Sequence, residues 1–424
     1  MKKLTIILSC CTLSSCSFDA YKSQNQDRAC YFDYASSWDI NETSLGEFLL
    51  VSRLAGNSSG INKYAKFLRQ LEARSAIIVA EKISCAPDQI HFTSGATAAN
   101  NIAILGVAYR HPSCHLIASK IEHKSILDIF KHLESRGHKV SYLDVDKYGN
   151  VDLNQLRKCI RNDTKLISIQ MFNSEIGALQ DVEEIGKIAK ARGVYFHTDA
   201  AQSFGKYDID VSKMNIDLLT ISGHKIGAPK GVGVLYVRDI AALQPIMFGS
   251  GDTLSPGTKP TALICAFAKA IQTFKFNKKQ ITRNYEALVS ALSKIEKIYI
   301  NSSTLSHIVS VSIEGVLLKD ILDRMKDYSF SAGCSCLGQD KSNVIAAIDP
   351  DEKLPTCTLR ISFSDQKSEK QLIDFAGKLK IIVEQLRTEK SVGKGCESAP
   401  NDQQQDLQNS LDEIQKMIRN HVPR

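Results

Sequence analysis

The sequence predicts an α/β protein in which a mostly parallel sheet, covered by helices on both faces, is accompanied by a smaller α+β domain. Short apolar runs alternate with stretches of helical periodicity over most of the chain, as in consecutive βαβ units. The length of 424 residues is also enough for two hydrophobic cores. No internal repeat is visible, which argues against a solenoid.

The elements follow in chain order. Apolar residues at helical spacing predict a helix over 64–83. Further apolar runs predict buried strands, and polar or helical stretches separate them. These runs cover 89–92, 115–118, 165–169, 194–197 and 218–221, and the helices between them are expected to start at Thr97, His123 and Val182.

Composition and the positions of polar, loop-like stretches divide the chain into four parts. Residues 1–30 contain a signal-like segment and a polar linker, and 31–275 contain an N-terminal arm and the large domain. A small α+β domain is expected over 276–388, followed by a polar tail over 389–424. A helix over 263–274 would lead out of the large domain.

The bulk numbers exclude some classes of function. A net charge of +7 without a long basic run makes nucleic-acid binding a weak hypothesis. The 12 cysteines show neither a paired zinc spacing nor the framework of a small disulfide-rich domain, and no metal site is expected. The body of the chain is typical of a reduced, intracellular protein.

A lysine and an aspartate that follow two apolar runs indicate a pyridoxal phosphate (PLP) site. Lys225 lies in Ser222-Gly223-His224-Lys225, and Asp199 ends an earlier run. A lysine amine can form a Schiff base with PLP, and a carboxylate keeps its pyridine nitrogen protonated. The alternative is a surface lysine, but the Gly-rich stretch 227–231 after the motif favours the cofactor site.

A second segment offers a phosphate site. Thr93-Ser94-Gly95-Ala96-Thr97 lies between a predicted strand and a predicted helix. The free N–H groups and the dipole at a helix N-terminus attract phosphate, and Thr97 adds a hydroxyl. Taken alone, the segment is better explained as a simple helix cap with Thr97 in a capping role.

Together these motifs resemble the cysteine desulfurases, class V aminotransferase-like enzymes with the type I fold of PLP-dependent transferases. The resemblance covers about residues 31–386 and depends on several motifs in the family's order. They are Tyr31-Phe32-Asp33-Tyr34-Ala35, Thr93 to Thr97, Glu122-His123-Lys124, Asn173-Ser174-Glu175-Ile176-Gly177, the Asp199 and Lys225 segments, and Leu359-Arg360-Ile361-Ser362. The resemblance implies PLP as cofactor and conversion of L-cysteine to L-alanine with an enzyme-bound persulfide.

It also implies roles for the matched residues. Lys225 would hold the cofactor, His123 would stack on its ring and move protons, and Arg360 would bind the substrate carboxylate. The implied cofactor-binding residues are Ala96, Thr97, Ser174, Asp199, Gln202, Ser222, His224 and Lys225. Thr258 would reach the phosphate of the neighbouring subunit, which implies a homodimer.

The family carries its nucleophile on a mobile loop, which matches Ser331-Ala332-Gly333-Cys334-Ser335-Cys336. A thiolate is required because it must attack the sulfur of the bound cysteine. The register relative to Arg360 favours Cys336 over Cys334. The loop is nearly as long as in desulfurases that supply sulfur to a scaffold protein for iron–sulfur cluster assembly, so such an acceptor is an expected partner.

Some positions depart from the family pattern. Ser174 stands in place of an asparagine, Ser255 in place of an arginine, and Asn62 in place of a histidine. The alternatives are therefore a selenocysteine lyase, another class V enzyme, or a non-catalytic paralogue that acts as a binding partner.

The N-terminus conflicts with the intracellular expectation. Lys2 and Lys3 precede a short apolar run, and Leu13-Ser14-Ser15-Cys16 resembles a bacterial lipoprotein cleavage site. A sulfur-mobilising PLP enzyme needs cytoplasmic cofactor and reductant. We therefore expect a cytoplasmic protein, with an exported, membrane-anchored one as the alternative.

Overall fold

The computed structural model describes residues 27–302, 304–332 and 342–392. The helices are α1 (Glu42–Ser52), α2 (Lys63–Ile83), α3 (Ala96–Arg110), α4 (Lys124–Ser135), α5 (Leu153–Cys159), α6 (Val182–Ala191), α7 (Thr261–Thr273), α8 (Lys278–Leu292), α9 (Leu318–Arg324), α10 (Asn343–Ile348) and α11 (Glu369–Val392). The strands are β1 (Ile90–Thr93), β2 (His115–Ser119), β3 (Lys139–Leu143), β4 (Thr164–Ser168), β5 (Tyr195–Asp199), β6 (Leu218–Ser222), β7 (Gly233–Val237), β8 (Ile298–Ile300), β9 (Ile308–Ile313), β10 (Ser331–Ala332) and β11 (Thr358–Ser362).

The larger sheet has seven strands in the order β1-β7-β6-β5-β4-β2-β3. The neighbouring pairs β3-β2, β2-β4, β4-β5 and β5-β6 are all parallel. Strand β7 runs antiparallel to both of its neighbours, β6 and β1. The predicted strands correspond to β1, β2, β4, β5 and β6 with small shifts at their ends. The predicted α/β class with a mostly parallel sheet is therefore confirmed.

Both faces of this sheet are covered, which explains its continuous apolar runs. Strands β2, β6 and β7 are buried at every residue. In β2, Leu116 and Ala118 pack with α3 and α4, whereas Ile117 packs in the opposite cluster with α2, α6 and α7. Because successive side chains of a strand point to opposite faces, a strand covered on both sides is apolar throughout.

The smaller sheet is antiparallel, with the order β10-β11-β9-β8. Leu288 of α8 and Phe375 of α11 belong to the core that covers it. Helix α11 continues past the predicted tail boundary to Val392. The four-part division of the chain stays a prediction, and the predicted tail from 393 lies outside the described residues.

An N-terminal segment, residues 31–38, connects the two sheets. Phe32 packs in the core of the smaller sheet, and isolated bridges join Tyr31 to Ser329 and Asp33 to Ser362. At the other end of the segment, the Trp38 N–H donates to the His224 carbonyl at 3.0 Å. Residue 224 follows β6 of the larger sheet, so the segment bridges both parts.

The strand directions place several polar loops at one edge. Strands β1, β2, β4, β5 and β6 point the same way, so the residues that follow each of them meet at the carboxyl edge of the sheet. Ligand sites of open α/β sheets form at this edge. Among the described residues, no helix is long and apolar enough to cross a membrane.

Candidate active site

A cavity of about 980 Å³ opens at the carboxyl edge of the larger sheet and extends to the smaller one. Ten residues predicted from the sequence line it: Ala96, Thr97, His123, Ser174, Asp199, Gln202, Ser222, His224, Lys225 and Arg360. Thr258 is not part of its wall. Cys334, Cys336 and Cys16 lie outside the described residues.

Lys225 is positioned by a tight turn after β6. A single 3-10 turn over Gly223–Ile226 carries it, and Gly227 ends the turn with φ +79°, a backbone conformation that favours glycine. The Lys225 amine donates to the carbonyls of Ala35 at 2.6 Å and Ser36 at 2.7 Å. Burial and the positive charge of Arg360 lower the pKa of this amine to about 8, against the opposing effect of Asp33 and Asp199. An amine with this pKa is a better nucleophile at neutral pH than an ordinary lysine.

Asp199 is the last residue of β5 and is 8 % exposed. Its Oδ1 accepts a hydrogen bond from the Ala201 N–H at 2.8 Å, and its Oδ2 accepts one from Asn100 at 2.9 Å. Both donors stabilise the negative charge and fix the direction of the carboxylate. Asp199 can therefore serve as a fixed anionic partner for a group in the cavity.

The N-terminus of α3 faces the same cavity. Gly95 precedes the helix with φ +151°, and no side chain caps the first turn. Ala96 and Thr97 in this turn line the cavity. Backbone N–H groups at an uncapped helix N-terminus bind anions, so this part of the wall suits a phosphate.

Ser222 and His224 line the cavity with this turn. Burial and the positive charges of Lys225, Lys230 and Lys206 lower the pKa of His224 to about 4. The ring is therefore neutral near pH 7, and it can donate one hydrogen bond without adding charge.

Gln202 presents an unsatisfied polar atom. Its Nε2 donates to the Ala35 carbonyl at 2.6 Å, whereas its Oε1 is buried without a partner among the described residues. Buried polar atoms of this kind usually have a partner, so this atom indicates a ligand position in the cavity.

His123 also lines the cavity, and it lies directly before α4, where its ring acts as the helix cap. The Ser125 N–H donates to His123 Nδ1 at 3.1 Å. Because that nitrogen accepts a hydrogen bond, the other ring nitrogen carries the proton when the ring is neutral. The side chain is thus held by one nitrogen and can exchange a proton through the other.

Arg360 on β11 joins the two parts of the wall. It donates to Asp33 Oδ1 and Ser331 Oγ, both at 2.9 Å, and to the Ser174 carbonyl at 3.0 Å. Its Nε is buried and has no partner among the described residues. The guanidinium is therefore held by its Nη atoms while its Nε donor is unsatisfied.

Three residues that were compared with the family pattern in the sequence lie outside the cavity. Thr258 accepts a hydrogen bond from Asn57 at 3.3 Å outside the cavity. Asn62 caps α2 by accepting from the Ala65 N–H, and the Ser255 N–H donates to Asp252. In this chain, Asn62 and Ser255 therefore have local structural roles.

Two carboxyl groups of the wall were inside predicted motifs but received no role. Burial raises the pKa of Glu122 to about 8, although it accepts from the Ser119 hydroxyl and the Gln170 N–H. Burial likewise raises the pKa of Glu175 to about 7, and this side chain accepts from the Ser342 hydroxyl. The sequence of a motif does not indicate whether its acidic residue is buried. The burial of these two side chains results from the packing around β2 and β4.

The chain is similar to known proteins over most of its length. The aminotransferase class-V family model matches residues 47–375. A mitochondrial cysteine desulfurase of Candida albicans is 36 % identical over 82 % of this chain and 75 % of its own length. A solved NifS-like protein superposes with a TM-score of 0.77 at 26 % identity over 84 % of this chain and 99 % of its own.

A second solved structure, SspA in complex with cysteine, is 34 % identical over 80 % of this chain and 99 % of its own, with a TM-score of 0.72. The matched family range contains the cavity residues from Ala96 to Arg360. The chain therefore belongs to the aminotransferase class-V family and, within it, to the cysteine desulfurases.

Proposed function

We propose that this protein is a PLP-dependent cysteine desulfurase that converts L-cysteine to L-alanine and retains the sulfur as a persulfide. The observation that carries the proposal is one cavity lined by Lys225, Asp199 and Arg360. A nucleophilic amine, a fixed carboxylate and a guanidinium with a free donor are the groups needed to hold PLP and an amino acid together.

The residues present fit PLP. When bound, PLP supplies an electrophilic carbon for the amine and a ring that accepts electrons from the substrate Cα. The first turn of α3, with Ser222 and His224, would hold the phosphate, and Asp199 would hold the ring nitrogen. The unsatisfied Gln202 Oε1 would accept a hydrogen bond from the ring hydroxyl of PLP in its protonated form. Lys225 would hold the cofactor and move the Cα proton.

Arg360 would recognise L-cysteine by its carboxylate. Its free Nε and its orientation by Asp33 favour this role. The similarity to SspA, solved in complex with cysteine, also supports cysteine as the substrate. His123, whose proton-bearing nitrogen is free of the α4 cap, would transfer protons to or from the bound substrate.

Sulfur transfer requires a protein thiol, and Cys336 is our candidate from the sequence. Its sulfur would form an S–S bond with the substrate sulfur while the substrate Cβ–S bond breaks. Cβ takes up a proton and is reduced to the methyl group of alanine as the two sulfurs are oxidised to a persulfide, so no external oxidant is needed. A sulfur-acceptor protein, such as an iron–sulfur scaffold, would then remove the outer sulfur.

We further propose that the enzyme is a homodimer. Thr258 lies outside the cavity of its own chain, as expected for a residue that contacts the cofactor of a neighbouring subunit. The loop that contains Thr258 also contains Phe248, which is 88 % exposed. Asn57, which donates to Thr258, lies in a second loop, and this loop contains the fully exposed Ile61. Exposed apolar side chains on adjacent loops are typical of a protein interface.

The test is alanine formation from cysteine. The wild-type protein with PLP should form alanine and gain one sulfur on the peptide that contains Cys336, as measured by mass spectrometry. Lys225→Ala should lose the covalent PLP link and turnover. Cys336→Ser should keep the PLP absorbance but form no alanine, and Cys334→Ser should retain activity. Alanine formation without any persulfide would instead indicate a lyase.

A further inference from the structure

Asn100 is a buried residue to which the sequence assigns no role. It lies within α3 and is 0 % exposed. Its Nδ2 donates to Asp199 Oδ2 at 2.9 Å and to Ser125 Oγ at 3.0 Å. Because an ionised carboxylate only accepts hydrogen bonds, the nitrogen of this amide must face Asp199.

The oxygen of the same amide is unsatisfied. Asn100 Oδ1 is buried and has no partner among the described residues. An unpaired buried acceptor destabilises a fold, so an apolar residue of similar size would suit the helix better on stability grounds alone. The two donated hydrogen bonds are therefore the feature that distinguishes asparagine at this position.

Ser125 extends the connection to His123. Its hydroxyl lies 2.8 Å from His123 Nδ1, and its backbone N–H donates to the same nitrogen. Since the hydroxyl oxygen already accepts from Asn100, its proton is free to point at Nδ1. The order of donation is thus Asn100 to Ser125 to His123, with a second branch from Asn100 to Asp199.

We propose that Asn100 and Ser125 form a hydrogen-bonded relay that positions Asp199 and His123 together and selects the tautomer of His123 in which Nδ1 accepts and Nε2 carries the proton. The expected effect of this relay on catalysis rests on the proposed function. Both are positioning residues: they hold the two side chains proposed to contact the cofactor and the substrate. The charge of Asp199 in turn acts on three titratable groups around it, Lys225, Glu122 and His197.

The first test needs no cofactor. The protein is labelled with ¹⁵N-histidine, and the His123 signals are assigned from their loss in His123→Gln. Wild type should show a protonated Nε2 and an accepting Nδ1. Ser125→Ala should shift the Nδ1 signal, and Ser125→Thr, which keeps the hydroxyl, should restore it. A proton on Nδ1 in the wild-type protein would overturn the relay even if the enzyme is active.

The second test is a double-mutant cycle on the PLP-loaded enzyme. Asn100→Leu should change the absorption spectrum of bound PLP and lower kcat/KM about tenfold or more, as for a lost hydrogen bond to a charged group. Asn100→Leu with Ser125→Ala should lose less than the product of the two single losses, because both changes break one relay. A loss equal to that product would contradict the proposal.

The matched control is Asn284→Leu. Asn284 is also a fully buried helical asparagine, but its Nδ2 donates to the Lys367 carbonyl in the core beside the smaller sheet. It should lower stability without changing the PLP spectrum, and a changed spectrum would count against the relay. A wild-type protein that binds PLP but makes no alanine would reject the proposed function. The relay would still be tested by the ¹⁵N-histidine signals and by the absorption spectrum of bound PLP.

Discussion

At the scale of single residues, the chemistry of this site follows from where polar side chains stand relative to strand ends. Asp199 ends β5, and Lys225 follows the end of the neighbouring strand β6. Adjacent parallel strands bring their carboxyl ends together, so the two residues share one cavity although they are 26 positions apart in the sequence. The different surroundings of the two side chains then determine their different roles, a nucleophilic amine at Lys225 and a fixed carboxylate at Asp199.

Reaction of the cofactor-free protein with PLP should depend on pH through Lys225. Only the neutral amine is nucleophilic, and burial lowers its pKa to about 8. The neutral fraction increases as the pH increases through this value, so the rate of PLP binding should increase between about pH 7 and pH 9 and then level off. Stopped-flow absorbance after addition of PLP measures this rate. A midpoint near the ordinary lysine value of about 10.4 would contradict the lowered pKa.

Asp199→Asn should separate binding from catalysis. The phosphate part of the site is unchanged, so PLP should still bind, but a neutral amide is a weaker partner for a charged ring nitrogen. We expect kcat to decrease by a factor of about 10² to 10³, the range for one lost electrostatic group. Alanine release measures the effect. Unchanged kcat would mean that Asp199 has only a structural role.

At the scale of secondary-structure elements, the proposed phosphate-binding part of the site depends on close packing between β7 and the turn before α3. A Cβ atom at Gly233 would lie 2.7 Å from the Gly95 Cα and 2.7 Å from the Ile221 carbonyl oxygen. Backbone atoms on both sides leave no room for a side chain. The position of the α3 N-terminus therefore depends on this glycine.

Gly233→Ala should weaken PLP binding as well as stability. Displacement of the Gly95 turn should lower the free energy of unfolding by roughly 1–3 kcal/mol, as for overpacked sites. The control is Gly377→Ala in α11, where a Cβ meets nothing within 4 Å. That change should raise stability by about 0.5–1 kcal/mol and leave PLP affinity unchanged. Urea unfolding and PLP titration measure the two effects, and normal PLP affinity in Gly233→Ala would refute the packing argument.

The sequence predicts elements and motifs better than it predicts their directions and partners. Strand β7 was not among the predicted strands, although it is buried at every residue. Such a buried run also looks the same in a parallel and an antiparallel strand, so its sequence carries no signal of its reversed direction. Lys225 and Asp199 were predicted because each follows an apolar run. Asn100 was not, since its partner Asp199 belongs to a strand 99 positions later and only the folded sheet brings them together.

At the scale of the whole molecule, subunit association should complete the site. Phe248→Asp would bury a charge in the proposed interface, so we expect the variant to be monomeric and to bind PLP more weakly, because Thr258 of the same loop would lose its place in the partner's site. Analytical ultracentrifugation and PLP titration measure this. Ile373→Asp, at a residue of α11 that is 48 % exposed, is the control and should leave the dimer intact. A dimeric Phe248→Asp protein would reject this surface.

The segment over 31–38 has a consequence for synthesis of the chain. The Ala35 N–H donates to the Ser362 hydroxyl across 327 positions, while the Ala35 carbonyl receives the amine of Lys225. On the ribosome, the first strands of the larger sheet emerge long before residue 362. The wall behind Lys225 is therefore complete only when nearly the whole chain has been translated, because contacts between distant positions form late. A nascent chain stalled before β11 should contain most of the larger sheet but bind PLP poorly.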